Sequence, residues 1–218
     1  MNEHGSEKNE GVEEDLRHPR ERILNSALEL FVDQGYFNTN VPKISAKSKC
    51  SVGSIYHHFI NKQEIASSLY LDGIRQFRSA LEDSLSNIPL PDSSITDIQP
   101  LEITIRNLVV AFLCFAEDHR MLSQYLWLAR HNEYLEGEVT VPTRVGFDSL
   151  GRKLTKTIKH AIRANEIPLV KADILWTIVF GIPLSYVRDW LEGHTSASPK
   201  QVASTLANAC WAALHEAR

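Results

Sequence analysis

From about residue 20 onward, apolar side chains recur every three or four positions, which is the spacing of helices with one buried face. The first run comprises Ile23, Leu24, Ala27, Leu28 and Phe31. Gly35 follows it, where a left-handed C-terminal cap would end the helix. Two short helical segments, Pro42 to Lys49 and Gly53 to Phe59, come next. Because they are so short, they depend on packing against the first helix.

A long helix follows these two segments. Asn61 and Glu64 have the spacing of a capping box, which predicts that the helix opens near Lys62. Its apolar side carries Ala66, Tyr70, Ile74, Phe77, Leu81 and Leu85. Pro89 and Pro91 cannot lie inside a helix, so a loop follows.

The rest of the chain predicts five more helices. They cover Leu101 to Phe115, Arg120 to Arg130, Thr143 to Ala164, Lys171 to Leu191, and a last segment with Ser198 as its cap and Pro199 in its first turn. Pro183 removes one helical hydrogen bond and should kink the fourth of these helices. No alternating strand pattern and no internal repeat is present in the sequence.

The predicted fold is therefore all-α with about nine helices. Residues 1–19 are polar and rich in glutamate, which predicts a disordered tail. Residues 20–65 form a small three-helix domain, and residues 66–218 form a larger helical domain. The long helix has to leave the small domain and enter the larger one.

The composition indicates the cellular compartment in which the protein works. The chain is 43% hydrophobic, which is enough for a core. Its cysteines, Cys50, Cys114 and Cys210, are far apart and have no zinc-like spacing, which is typical of small buried side chains in a reducing compartment. No apolar run approaches the roughly 20 residues of a membrane span, and the N-terminus does not look like a signal peptide. We therefore expect a cytoplasmic protein without a membrane partner.

Charge is unevenly distributed along the chain. The net charge is -4, yet no Asp or Glu occurs from Gln34 to Gln63. Four lysines in that stretch give it a charge of +4, so the remaining chain carries -8. A basic module on an acidic body is the layout of a DNA-binding head. Chance absence of acids over thirty residues explains the charge equally well, so charge alone leaves both interpretations open.

The motifs between residues 20 and 70 are more specific than the charge. They read Arg22-Ile23-Leu24, Ala27-Leu28-Glu29-Leu30-Phe31, Gly35-Tyr36, Thr39, Ile44-Ser45, Ser51-Val52-Gly53-Ser54-Ile55-Tyr56-His57-His58-Phe59 and Lys62-Gln63-Glu64-Ile65. In this order they resemble the DNA-binding domain of the TetR family of bacterial transcription regulators. Two departures are Pro42, where a polar residue is usual, and Lys49-Cys50, which replaces the usual Gly-Val pair.

This resemblance implies a helix-turn-helix domain followed by an effector-binding and dimerisation domain. The protein would then be a ligand-responsive repressor that binds a palindromic operator in double-stranded DNA as a homodimer. The reading helix would place its leading residues in the major groove, anchored from behind by Ile55 and Phe59. Gly53 would let that helix approach the DNA closely. The expected DNA-binding residues are Thr39, Lys43, Val52, Ser54, Tyr56, His57 and Lys62.

Aromatic residues are frequent on the helices of the larger domain. The expected effector-binding residues are Phe77, Phe112, Phe115, Tyr125, Trp127, Phe147, Trp176 and Phe180. They would line a mostly apolar pocket, with Arg106, Asn107 or Glu117 available to orient a small, largely apolar effector. Aromatic residues at helical spacing are also ordinary core, and for any single one that is the simpler interpretation.

The last two helices resemble the dimerisation pair of the same family. The expected interface residues are Ile178, Gly181, Ala203, Leu206, Ala207, Cys210 and Leu214. Small side chains let two backbones approach closely, and the larger ones supply apolar area. The alternative is that both helices pack only on their own domain.

Two other classes of function are an enzyme and a protein-binding adaptor. An enzyme is disfavoured because the sequence has no G-x-S-x-G, H-E-x-x-H, G-x-G-x-x-G or phosphate-binding loop. A metal site is not expected, since the adjacent His57 and His58 point about 100° apart on a helix, and no cofactor is implied. The second alternative is a helical adaptor that binds protein and has lost DNA binding; it would show no salt-dependent DNA retention.

Overall fold

The computed structural model describes residues 18–86, 101–129, 135, 148–165 and 167–215. Within these ranges the chain forms nine helices and no strand. The helices are α1 (Pro19–Gln34), α2 (Val41–Ser48), α3 (Val52–His58), α4 (Lys62–Ser84), α5 (Leu101–Asp118), α6 (Arg120–Leu128), α7 (Asp148–Arg163), α8 (Ala172–Trp176, Thr177–Gly181 and Ile182–Leu191 in succession) and α9 (Pro199–His215). The all-α prediction is confirmed. Of the tail expected at residues 1–19, residues 1–17 lie outside the described residues, and Pro19 is instead the first residue of α1.

Local capping fixes several of these helix ends. The amide of Glu64 donates to Asn61 Oδ1 over 2.8 Å, and the Glu64 carboxylate accepts from the amide of Ile60. The predicted cap of α4 is therefore confirmed. At the end of α1, Gly35 has a φ of +82°, which side chains rarely allow, and its amide donates to the Phe31 carbonyl.

The chain divides into two compact units, and the division falls inside α4, between Asp72 and Gly73. The first unit contains α1, α2, α3 and the N-terminal half of α4. Its centre is formed by isoleucines and alanines that are 0–1% exposed, namely Ile23, Ala27, Ile44, Ile55, Ile65 and Ala66. Four helices, α1 to α4, thus contribute to one small core, and the short helices α2 and α3 depend on this packing.

The second unit is built around α5, and α9 makes the most extensive helix pairing with it. Ile105, Leu108, Val109 and Leu113 on α5 are all 0% exposed. The C-terminal half of α4 joins this unit at Gly73, where a Cβ would lie 2.9 Å from Leu122 Cδ1 on α6. A glycine at this position therefore lets α4 and α6 pack closely.

Helix α8 contains one turn of π-helix, Thr177–Gly181, immediately before Ile182 and Pro183. Proline has no amide hydrogen to donate to the carbonyls four and five residues earlier, those of Val179 and Ile178. The sequence predicted a kink of this helix at Pro183; the structure shows a π turn directly upstream of the proline.

Candidate nucleic-acid interface

The turn between α2 and α3 is closed by short-range hydrogen bonds. Ser45 Oγ donates to the Cys50 carbonyl over 2.6 Å, and the Cys50 amide donates to Ser48 Oγ over 3.3 Å. Lys49 takes the left-handed conformation, with φ 54° and ψ 25°. A glycine would adopt this conformation at less cost, so the unusual Lys49-Cys50 pair keeps a left-handed turn with some strain. Cys50 is 5% exposed, as expected for a small core residue.

Helix α3 has one buried row and one outward row of side chains. Ser51 caps it by accepting from the Ser54 amide. Ile55 and Phe59 are 1% and 2% exposed, so their predicted role as inward anchors is confirmed. The outward row consists of Val52, Tyr56 and His57, all exposed, with Ser54 half-buried beside it.

Gly53 lies at the start of α3, and its own chain does not require a glycine there. A Cβ built on Gly53 would have Ser51 Oγ as its nearest neighbour, at 3.9 Å, which is ordinary contact. Glycine inside a helix costs up to about 1 kcal/mol relative to alanine. Any steric reason for a glycine at this position therefore lies outside the protomer.

Thr39 is 1% exposed and faces the interior of the first unit. Its hydroxyl lies 3.2 Å from the Leu30 carbonyl oxygen and 3.0 Å from that of Gly35. The side chain is therefore occupied at the end of α1. Thr39 was expected among the DNA-binding residues, and any contribution of this segment to DNA binding has to come from its backbone.

The two lysines expected at phosphates have different surroundings. Lys43 is exposed, and its Nζ donates to Gln34 Oε1 and to the Asn38 carbonyl. Lys62 is half-buried, and its Nζ donates to the Tyr36 and Thr39 carbonyls over 2.8 Å each. Burial lowers the pKa of Lys62 below its ordinary value.

Six of the expected effector-binding aromatics form one cluster in the second unit. Phe77 lies 5.1 Å from Phe112 and 5.2 Å from Phe115, measured between ring centres. Trp127 stacks on Phe112 at 4.9 Å. Phe180 extends the cluster to Trp176.

Two further aromatics were expected at the effector site. Tyr125 is buried, at 1% exposure, and Phe147 lies outside the described residues. The close ring packing of the six clustered residues suits both a core and the wall of an apolar site.

The polar residues named as orienting groups are engaged elsewhere. Arg106 pairs with Glu102 one turn earlier on α5. Glu117 accepts from the Lys200 amide, and hydrogen bonds from Ser198 and from that amide lower the pKa of Glu117. Asn107 Nδ2 lies 3.4 Å from the Ser84 carbonyl oxygen.

Four of the expected interface residues are buried inside the protomer. Ala203, Ala207, Cys210 and Leu214 on α9 are 6%, 1%, 0% and 0% exposed. They lie on one face of α9, the helix that pairs with α5, so burial favours the alternative that this face packs on its own domain. Ile178, Gly181 and Leu206 are half-buried.

A second apolar row lies beside this buried face of α9. Val202 and Leu206 are half-buried, while Ala209 and Ala213 are exposed. These four positions follow i, i+4, i+7, i+11 spacing and so share one side of the helix. Ile174 on α8 is 49% exposed. On the opposite flank of α9, Ser204 and Asn208 are polar, and Trp211 is half-buried and stacks on His215.

Among the described residues, Asp189, Glu192 and His194 have the spacing of a metal site, with ligand atoms within 4.8 Å of one another. All three are exposed, so water competes for the same ligands. His57 and His58 meet edge to face with ring centres 5.3 Å apart, which does not turn their nitrogens toward one ion. In the described part of the chain no helix has the length and apolar character needed to cross a membrane.

The N-terminal part of the chain is similar to known bacterial regulatory proteins. Residues 23–69 match the family model of bacterial regulatory proteins, tetR family. The Transposon Tn10 TetC protein of Escherichia coli is 36% identical over 58 residues, which are 27% of this chain and 29% of that protein. UidR of Escherichia coli strain K12, an HTH-type transcriptional regulator, is 28% identical over 82 residues, 38% of this chain and 42% of UidR. These matches thus span less than half of either relative.

A longer match and two solved structures extend the likeness beyond the first unit. AcrR of Shigella flexneri, also an HTH-type transcriptional regulator, is 24% identical over 188 residues, covering 83% of this chain and 80% of AcrR. A TetR family transcription regulator from Marinobacter aquaeolei VT8 aligns with a TM-score of 0.70 at 18% identity, over 90% of this chain and 95% of that one. FadR from Bacillus subtilis, solved in complex with stearoyl-CoA, aligns at 0.61 and 16% identity, over 89% and 99%. At these identities the structures show a shared fold.

Proposed function

We propose that this chain, whose residues 23–69 match the family model of bacterial regulatory proteins, tetR family, is a cytoplasmic repressor that binds a palindromic operator as a dimer and leaves it when a small, largely apolar effector binds. The observation that carries this proposal is the outward row of α3. Val52, Tyr56 and His57 are exposed on a helix whose opposite side is anchored in the core. They lie in a stretch without a single acidic residue.

Each exposed residue of this row suits a different DNA group. Val52 can meet a thymine methyl, and His57 can exchange hydrogen bonds with base edges in the major groove. Tyr56 is long enough to reach a phosphate, and Ser54 can bond to either. Gly53 supports the same orientation, because the protomer leaves room for a methyl group where DNA would not.

A dimer follows from the small size of the reading helix. Seven residues in α3 contact too few base pairs for useful discrimination, whereas two copies read half-sites about 34 to 36 Å apart. We assign the interface to the second apolar row of α9, formed by Val202, Leu206, Ala209 and Ala213, together with Ile174 and Ile178 on α8. Partial exposure of these residues in the protomer supports the assignment.

The effector site is assigned to the aromatic cluster around Phe77, Phe112 and Trp127. Ring faces and edges offer apolar contact, which favours an apolar effector over a charged one. FadR of Bacillus subtilis shares the fold and was solved with stearoyl-CoA, a molecule with a long apolar chain. That fact supports an effector with an apolar chain.

Helix α4 is the proposed coupling element, because its two halves belong to the two units. Phe77, on the C-terminal half, is part of the aromatic cluster, and Lys62 begins the N-terminal half. An effector lowers DNA affinity only if it binds better to a conformation whose reading helices no longer match the DNA.

A fluorescence anisotropy titration against mixed-sequence duplex DNA tests the proposal. We expect binding whose affinity falls steeply with salt, by a slope of about -0.9 per phosphate contacted on a double-logarithmic plot. The double variant Tyr56→Ala with His57→Ala should lose DNA affinity, and His194→Ala, at an exposed histidine of the second unit, should keep it. Absence of salt-dependent retention on any DNA would favour the adaptor alternative.

A further inference from the structure

Building on the proposed DNA-binding function, we propose that Lys62 is a positioning residue. In this assignment its ammonium group holds the turn between α1 and α2, and so sets the place of the helix-turn-helix, without neutralising a DNA phosphate itself. A lysine at the start of α4 is otherwise expected to act as a phosphate contact. The contacts of the ammonium group distinguish the positioning role from the role of a phosphate contact.

The ammonium group of Lys62 is enclosed by one turn of the backbone. Its Nζ donates to the Tyr36 and Thr39 carbonyl oxygens, each 2.8 Å away. It also lies 4.0 Å from the centre of the Tyr36 ring, at the distance of a cation–π contact. An ammonium group has three hydrogens, so two carbonyls and a ring occupy all of its directions. A phosphate would have to displace one of these partners.

The two carbonyls that Lys62 binds lie in the turn between α1 and α2. Thr39 precedes Asn40, whose side chain caps α2 by accepting from the Lys43 amide. The Thr39 hydroxyl meanwhile bonds back to the end of α1. Lys62 therefore links the start of α4 to Thr39 and Tyr36, which lie 23 and 26 positions earlier in the chain. Releasing this tie frees the turn that sets the direction of α2.

Lys43 offers a matched comparison on the same turn. Its Nζ also donates to a carbonyl, that of Asn38, but its second partner is the side chain of the exposed Gln34. Lys43 is exposed, so its contacts can be exchanged for a phosphate at little cost. Lys62 is half-buried and has a lowered pKa because of that burial, so its contacts with the turn are harder to exchange.

The test measures DNA affinity as a function of salt for the full-length Lys62→Met and Lys43→Met variants, both of which keep an apolar stem. Lys43→Met should lower the affinity and reduce the salt slope by about 0.9, the value for one lost phosphate contact. Lys62→Met should lower the affinity by about tenfold, the typical effect of losing charge-assisted hydrogen bonds. Its salt slope should change by less than half of the change in Lys43→Met.

Hydrogen exchange of the protein without DNA provides an independent measurement. The amide of Thr39, which donates to the Tyr36 carbonyl, should exchange faster in Lys62→Met than in Lys43→Met. If Lys62→Met does not fold, Lys62→Arg takes its place: it keeps the charge, so a role in the turn predicts weaker binding at an unchanged slope, with faster Thr39 exchange.

A full loss of about 0.9 in the slope of Lys62→Met, with Thr39 exchange unchanged, would overturn the positioning role. So would wild-type affinity and exchange in Lys62→Arg, because charge alone would then suffice. Failure of the wild-type protein to bind DNA is a separate outcome, and it would reject the proposed function before Lys62 is considered.

Discussion

Cys210 Sγ lies 3.3 Å from the Ile178 carbonyl oxygen, and its thiol donates a hydrogen bond to it. Ile178 lies in the π turn of α8, five residues before Pro183. Because Pro183 has no amide hydrogen, the thiol on α9 supplies a donor that the backbone of α8 lacks. Cys210, which was expected in a dimer interface, thus links α8 and α9 within one protomer.

Removal of this thiol should destabilise the second unit. We expect Cys210→Ala to lower the free energy of unfolding by about 1–3 kcal/mol, since a buried carbonyl loses its donor and a small void opens. Chemical denaturation measures this change. Cys114→Ala is the matched control, at a half-buried thiol, and should cost less. Equal losses in the two variants would show that the bond to Ile178 contributes nothing.

Stability should also fall in alkaline solution because of Cys210. Burial raises the pKa of its thiol from the ordinary 9.0 to about 11. Between these values the unfolded chain has lost the proton that the folded chain keeps, so the unfolded state binds fewer protons and stability falls as pH rises. The contribution is complete below pH 9 and is lost as pH rises through 11.

The difference in unfolding free energy between wild type and Cys210→Ala isolates this contribution from other titrating groups. This difference should shrink between pH 8.5 and pH 11 as the thiol titrates, by an amount on the order of the free energy that corresponds to the pKa shift. A constant difference over that range would contradict the assignment to Cys210.

Gly53→Ala should separate folding from DNA binding. The protomer has room for the methyl group, so the free energy of unfolding should rise by about 0.5 kcal/mol through helix propensity. DNA affinity should fall by about tenfold if α3 approaches DNA at this point, as for other overpacked contacts. Gly151→Ala on α7, which also has open space around its Cβ, should leave DNA affinity unchanged.

The dimer assignment predicts which face of α9 tolerates charge. Ala209→Glu places a carboxylate in the second apolar row and should shift the protein to monomer in sedimentation velocity, with the helix content unchanged. Asn208→Glu, at the neighbouring exposed position on the opposite flank, should remain dimeric. Dissociation by both substitutions, or by neither, would place the interface elsewhere.

The sequence predicted most helices well because their signals are local. Asn61 and Glu64 cap α4 within four residues, and Pro199 begins α9 as its position in the sequence indicated. The buried and exposed rows of α3 follow from the same periodicity. The left-handed Lys49 was harder to anticipate, because the shape of the turn is set by Ser45 and the rest of the first unit.

Contacts between distant segments could not be predicted in the same way. The spacing of Ala203, Ala207, Cys210 and Leu214 shows that one side of α9 is buried, but not whether its own chain or a second copy covers it. The Ile178 carbonyl in the π turn accepts a hydrogen bond from a thiol 32 residues further along the chain. Lys62 likewise finds its carbonyl partners in a turn that only the fold brings near it.

Selection of bound sequences from a pool of random DNA duplexes tests the central claim most directly. A repressor that reads DNA with two copies of α3 should enrich one two-fold symmetric site, with half-sites about 34 to 36 Å apart. Replacement of Tyr56 and His57 by alanine should abolish that enrichment. Recovery of no preferred sequence, at salt concentrations where the wild-type protein remains folded, would contradict the account.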